Sequence, residues 1–230
     1  MPYILEDAIS SETERAKVQA VFEKIYSMDK THFWTFKRTC DVILATFAML
    51  LFFIPMLVIY LCIFLSDGHN PIFKQERIGR HGKPFLMYKF RTMVPNAAEM
   101  LESLMEDNEM DGPVFKIKDD KRITNFGKFL RRTSLDELPQ FINVIRGDMS
   151  LIGPRPPLRR EVEQYTEYHK IRLIVTPGIT CLWQVHPMRN AVSFEDWVGM
   201  DIDYIINRNV LMDIKIAFQT IGVMIREEGQ

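Results

Sequence analysis

Hydrophobic residues are spaced differently in successive parts of this 230-residue chain, and the spacing predicts its elements. Val18, Val21, Phe22 and Ile25 form one helical stripe, and Ser11 with Glu14 makes a capping-box pattern; an amphipathic helix is predicted over residues 11 to 29. It suits either a membrane surface or the flank of a domain. No charge interrupts the run from Val42 to Leu65, which is long enough to cross a hydrocarbon core. Pro55 lies inside it, removes a backbone hydrogen bond and disfavours helical geometry at Ile54, so a kink is expected there.

From Ile72 to Met93, β-branched and aromatic residues surround a turn signal at His81-Gly82 and predict a short hairpin. Helical spacing then returns. Residues 96 to 109 place Met100, Leu101, Leu104 and Met105 inward; Phe126, Phe129 and Leu130 mark a second helix, and Leu138, Phe141, Ile142 and Ile145 a third. A stiff loop, Gly153-Pro154-Arg155-Pro156-Pro157, presents Arg155. A charged helix from Leu158 to about Leu173, a turn at Thr176-Pro177-Gly178 and a helical stretch from Asp196 to Arg226 complete the pattern. There is no strand-helix alternation and no internal repeat. The expected fold is α+β and mostly helical, not a doubly wound sheet.

Charge changes how the apolar run is read. With 29 basic and 30 acidic side chains the net charge is -1, which gives no reason to expect a nucleic-acid partner. Locally, Lys74, Arg77, Arg80, Lys83, Lys89 and Arg91 stand against Glu76 alone, and a second basic cluster runs from Lys116 to Arg132. Such clusters suit lipid headgroups or substrate phosphates, and equally a solvated face. Lys30, Lys37 and Arg38 make the other flank of the run basic too, whereas a single-pass span should show an asymmetry. A re-entrant helix-break-helix hairpin, kinked near Pro55 and leaving by the face it entered, is therefore preferred to a straight span. The chain divides into an N-terminal amphipathic segment (1–35), the membrane hairpin (36–68) and a soluble domain (69–230), with amphipathic helices expected at the interface. Cys40, Cys62 and Cys181 lack metal-type spacing and the five histidines are scattered, so neither a disulfide framework nor a zinc site is expected. The charged first forty residues do not resemble a cleavable signal peptide, so the run is expected to stay in the mature protein.

Candidate chemistry centres on Thr133-Ser134-Leu135-Asp136-Glu137-Leu138-Pro139-Gln140, where two carboxylates follow Arg131 and Arg132 and open a helical pattern. A helix start carries partial positive charge and free N–H groups, which suits an ionised nucleophilic Asp and a phosphorylated substrate. The competing reading is a plain capping box between Ser134 and Glu137. The octapeptide alone leaves both open.

Further motifs decide between them. Phe36-Lys37-Arg38-Thr39-Cys40-Asp41, Tyr88-Lys89-Phe90-Arg91-Thr92-Met93, Ser134 to Gln140, Gly147-Asp148-Met149-Ser150-Leu151-Ile152-Gly153-Pro154-Arg155-Pro156 and Thr176-Pro177-Gly178-Ile179-Thr180 stand in order. Residues 33 to 226 thereby resemble the bacterial sugar transferases, monotopic phosphoglycosyl transferases that start glycan assembly on a polyprenyl phosphate carrier. The resemblance implies that Asp136 attacks the β-phosphate of a UDP-sugar, releases UMP and holds the phosphosugar until undecaprenyl phosphate takes it. It implies Mg²⁺ at Glu137 and phosphate contacts from Arg131, Arg155 and Lys89, each of which fits a structural ion pair as well. It places the protein at the bacterial cytoplasmic membrane with the catalytic domain on the cytoplasmic face, initiating capsule, exopolysaccharide or lipopolysaccharide synthesis; self-association through lipid-facing helices is compatible with it. The sequence resembles the compact form of the family, without the multi-helix domain of longer members. It departs from the family pattern after Thr180, where Cys181 follows and His186-Pro187-Met188 precedes Arg189-Asn190. That departure loosens the assignment of Arg189 to phosphate or sugar.

Two other functions compete. Asp201-Ile202-Asp203 fits the Asp-x-Asp signature of metal-dependent glycosyltransferases, although the strand-helix alternation of those enzymes is absent. A non-catalytic scaffold of glycan assembly would be expected to have lost the Asp-Glu pair, which is present.

Overall fold

A computed structural model describes residues 12–26, 31–100, 113, 120–188 and 191–226. Among them, helices predominate over two small sheets. Helix α1 (Glu12–Tyr26) precedes α2 (Thr31–Leu51) and α3 (Phe53–Asp67), and strands β1 (Ile72–Ile78) and β2 (Pro84–Phe90) follow as an antiparallel pair. Then come α4 (Asn125–Arg132), α5 (Gln140–Arg146), β3 (Ser150–Ile152), α6 (Arg159–Val162) and α7 (Glu167–Lys170). Strand β4 (Gly178–Thr180) lies parallel to β3, and α8 (Phe194–Asn207) and α9 (Val210–Ile225) end the chain. A Cβ on Gly178 would stand 2.1 Å from the Gly153 nitrogen, so only glycine lets these two loops close.

Helices α2 and α3 form a pair bent by 61°. Among the described residues, no single helix is long and apolar enough to cross a membrane. The break falls at Phe52, not at the predicted Pro55, which lies in the first turn of α3. Proline acts upstream of itself: Pro55 has no N–H to offer the Leu51 carbonyl, and its ring crowds that carbonyl. Both limbs are rooted in the same domain. On α2, Ala45 is buried against Met87, Val144 and Met149, while Lys37 donates to Asp213 (2.8 Å) and Asp41 accepts from the Ser150 hydroxyl (2.7 Å). On α3, Ile59 and Ile63 are buried with Phe90, Leu130 and Leu138, and Asp67 pairs with Arg91. Between the roots, Phe47, Leu50, Leu51, Phe53, Ile54 and Leu57 are exposed.

Helix α1 turns its stripe toward the domain, where Val18 and Phe22 are buried in a core with Ile171, Trp183, Trp197 and Val198. Ser11 lies outside the described residues, and Glu14 accepts from the Tyr168 amide (3.2 Å), which ties α1 to α7. Of the predicted helix from residue 96, the described part to Met100 is a succession of turns, and the rest lies outside the described residues.

Two long helices expected from the sequence are broken. The segment from Leu158 to Leu173 forms α6, α7 and a 3₁₀ turn, Ile171–Ile174. Glu161 accepts from the Leu158 amide and the Thr166 hydroxyl from the His169 amide, so each short helix has its own start. The C-terminal stretch breaks at Arg208, where the Asn209 side chain accepts from the Met212 amide (3.0 Å) and begins α9. In α9, Leu211, Ile214, Phe218, Ile221 and Ile225 leave an apolar face exposed.

Candidate active site

Three elements converge on the two carboxylates. Helix α4 is started by Thr124, whose hydroxyl accepts from the Gly127 amide (2.9 Å), and Gly127 lets the helix approach the Thr92 carbonyl, 2.0 Å from where a Cβ would stand. Arg131, in its last turn, donates from Nε to the Thr92 hydroxyl (2.9 Å). Ser134 then takes a left-handed conformation (φ 57°), a strained choice for a residue other than glycine, and turns the chain into a 3₁₀ turn, Leu135–Glu137.

That geometry corrects the sequence reading twice. Ser134 makes no capping bond and Glu137 turns instead to Lys89, so the Ser134–Glu137 capping box does not exist. Nor do the acids open a helix: α5 begins at Gln140, behind Pro139, and the carboxylates sit on the turn before it. Cationic side chains, not helix amides, surround them.

Strand β2 brings Lys89, whose Nζ donates to Glu137 Oε1 (2.7 Å). The strand is held against α5 by Asn143, which accepts from the Tyr88 amide (3.0 Å) and donates to the Leu86 carbonyl (2.7 Å). Sequence reasoning missed this clamp, although a polar residue inside the apolar pattern of α5 was its visible sign. Arg77, on β1, was noted only as one of six cations; it donates to the Pro156 carbonyl (3.0 Å) and to Gln75. Arg155 stands between its two prolines and, with Arg77, Lys89, Glu137 and Gln140, lines a small cleft. Asp136, Glu137, Lys89, Arg131 and Arg155 therefore share one electrostatic neighbourhood. Arg189 lies outside the described residues, and Pro55 belongs to the hairpin.

The two carboxyls are driven apart. Burial pushes Asp136 up to about 6, against the pull of Lys89 and with a further push from Glu137. Burial would also raise Glu137, but Lys89 and Arg155 outweigh it and hold that carboxyl low. Neighbouring acids in such unequal settings can take different roles. Burial also lowers Arg131 from its ordinary value, while the Asp136 carboxylate supports its charge.

Among the described residues, no group of three or more His, Cys, Asp or Glu side chains is placed to hold a metal. Magnesium needs less, because one or two carboxylates suffice when substrate phosphates and water complete the shell. Glu137, half-buried at the cleft beside Asp136, fits that requirement. Asp201 does not: it is fully buried and hydrogen-bonded to Arg172, while Asp203 accepts from Asn207 (2.6 Å). The metal-dependent glycosyltransferase reading of Asp201-Ile202-Asp203 is therefore set aside.

The model of one protein family, described as bacterial sugar transferase, matches residues 32–227. The galactosyl transferase CpsE of Streptococcus agalactiae is 46% identical over 71% of this chain and 36% of its own length. A UDP-galactose-lipid carrier transferase of Erwinia amylovora is 44% identical over 84% of the chain and 41% of its own length. An undecaprenyl-phosphate galactose phosphotransferase of Salmonella typhimurium is 43% identical, with coverages of 84% and 41%. The chain spans about two fifths of the length of these relatives.

Proposed function

The chain belongs to the bacterial sugar transferase family, and on that premise we propose that it moves a sugar 1-phosphate from a UDP-sugar to undecaprenyl phosphate, releasing UMP. The observation that carries the reading is the Asp136–Glu137 turn, sunk among Lys89, Arg131 and Arg155 at the edge of a cleft. A cationic pocket around a carboxylate binds phosphate groups and aligns them for attack.

In the first step a carboxylate oxygen of Asp136 forms a bond to the β-phosphorus of the donor. The bond from that phosphorus to the bridging oxygen breaks, and UMP leaves with the electron pair. In the second step a phosphate oxygen of the carrier attacks the same phosphorus, and the Asp136 carboxylate is released unchanged. Two displacements replace one, with the acyl phosphate as intermediate. Arg131 and Arg155 bind phosphate oxygens through their N–H forks. Lys89 keeps Glu137 ionised and lends charge to the same place. Mg²⁺ held by Glu137 and the donor's oxygens would neutralise charge on the departing nucleotide.

The hairpin supplies access to the second substrate. Both limbs return to one domain and the apolar apex is unpacked, which supports a re-entrant element that dips into the cytoplasmic membrane from the cytoplasmic side. The exposed face of α9 and the stacked pair Phe126–Phe129 suit the same interface. Donor arrives from water and carrier from the bilayer, initiating surface polysaccharide synthesis.

The test is UMP release from a panel of UDP-sugars in nanodiscs, with and without Mg²⁺ and undecaprenyl phosphate. One or more sugars should give Mg²⁺-dependent UMP that Asp136→Asn cannot make. A folded sample that liberates no UMP from any of them, or liberates UDP, contradicts the reading.

A further inference from the structure

Arg155 reaches the carboxylate turn from a loop that has few donors of its own. Pro154, Pro156 and Pro157 carry no N–H, so the segment is fastened mainly through its carbonyls. The Gly178 amide donates to the Pro154 carbonyl (2.9 Å) and the Ile78 amide to that of Pro157 (2.9 Å). The Pro156 carbonyl accepts instead from a side chain, Nη1 of Arg77 (3.0 Å). Glu76 accepts from Arg159 (2.9 Å), so three consecutive residues of β1 grip the segment that follows Arg155. The Arg155 guanidinium makes no hydrogen bond or ion pair among the described residues. Its aim depends on how the loop is held and on the charges around it.

Arg77 is itself braced. Gln75, two residues earlier on the same face of β1, accepts from its Nε (3.2 Å) and Nη2 (2.8 Å) through one oxygen, which fixes the plane of the guanidinium. A buried Pro156 carbonyl needs a donor, and that need accounts for a bond. It does not account for the charge. Among the described residues Arg77 donates to no carboxylate, and burial, with Arg155 beside it, lowers its pKa to about 10, so it stays charged at neutral pH. A neutral donor would serve the carbonyl at a smaller desolvation cost. What the charge adds is direction: Arg77 repels Arg155 from one side while Glu137 attracts it from the other.

We propose that Arg77 is a positioning residue: braced by Gln75 and bonded to the Pro156 carbonyl, it aims Arg155 across the cleft at the Asp136–Glu137 turn. The proposal rests on the phosphosugar transfer proposed above, in which Arg155 binds phosphate oxygens. Arg77 acts through Arg155, not on the substrate.

The experiment is a double-mutant cycle in nanodiscs with wild type, Arg77→Ala, Arg155→Ala and the double variant. It is read as kcat/KM for a productive UDP-sugar and, by calorimetry, as Kd for inorganic pyrophosphate. Arg77→Ala should lower kcat/KM and weaken pyrophosphate binding about tenfold when Arg155 is present, and less than about twofold once it is gone. A merely structural role would cost the same factor in both backgrounds. That result, or a folded Arg77→Ala equal to wild type in both measures, overturns the proposal. If Arg77→Ala does not fold, Gln75→Ala takes its place; it releases the brace, keeps the donor to Pro156, and should lose about threefold, again only while Arg155 is present. A wild type that shows this coupling in pyrophosphate binding but turns over no UDP-sugar supports the positioning role and contradicts the transfer reaction. Turnover by wild type with no coupling in either measure does the reverse.

Discussion

Replacing Asp136 with Asn should make the protein more stable while it abolishes turnover. The folded protein holds this carboxyl near 6, against 3.8 when unperturbed, with the attraction of Lys89 and Arg131 already included. A raised value means that the folded state binds the proton more tightly than the unfolded chain does. Stability therefore falls as pH rises from about 4 to about 6, and the full penalty is present above that window. At pH 7.5 it amounts to about 3 kcal/mol, and at pH 4.5 to about a third of that. An amide is neutral at both. Asp136→Asn should thus gain about 2 to 3 kcal/mol at pH 7.5, or roughly 4 to 12 °C in melting temperature for a chain of this size. Thermal unfolding in nanodiscs at pH 7.5 and 4.5, followed by tryptophan fluorescence, measures it. A variant no more stable than wild type at pH 7.5, or equally stabilised at both pH values, would refute the claim that burial of an ionised carboxylate is the cause.

Other predictions concern the same turn and its surroundings. Because Asp136 must be ionised to attack, kcat/KM should rise with pH through about 6 and then level off; a profile flat from pH 5 to 8 counts against it as nucleophile. Glu137→Gln should blunt the response of turnover to Mg²⁺, and an unaltered Mg²⁺ titration removes Glu137 as its ligand. Asn143→Ala deletes the clamp between β2 and α5 and leaves the Tyr88 amide without its acceptor, which should cost about 1 to 3 kcal/mol in unfolding experiments. In a background lacking Cys40, Cys62 and Cys181, single cysteines at Phe36 and Ser66 should both react with an impermeant reagent from the cytoplasmic side only; labelling from opposite sides restores a straight span.

Much of this fold was legible because the relevant signals are local. A proline within an apolar run announces a break, and the His81-Gly82 turn between strand-like runs announces β1 and β2. The bend nevertheless fell at Phe52, since proline disturbs the turn before it. Helices over 158–173 and 196–226 were overextended because periodicity does not register a side chain that caps a new start, as Thr166 and Asn209 do. At the site, ordered motifs placed Asp136, Glu137, Lys89, Arg131 and Arg155 in one list, and the geometry brings them into one neighbourhood. What held them there was hidden: a left-handed Ser134 and the Asn143 clamp are properties of tertiary packing that no spacing rule encodes. Arg77 and Arg155 come from segments far apart in the chain, so only folding shows that they meet at one cleft.

The central claim is that Asp136 carries the phosphosugar between donor and carrier. Wild-type protein mixed with a productive UDP-sugar in the absence of undecaprenyl phosphate, quenched in acid and digested, tests it by mass spectrometry. The account predicts a sugar-phosphate adduct on the peptide containing Asp136, lost when the carrier is added before the quench and absent from Asp136→Asn. An adduct on another residue, or carrier-dependent turnover that never places phosphosugar on the protein, would contradict it.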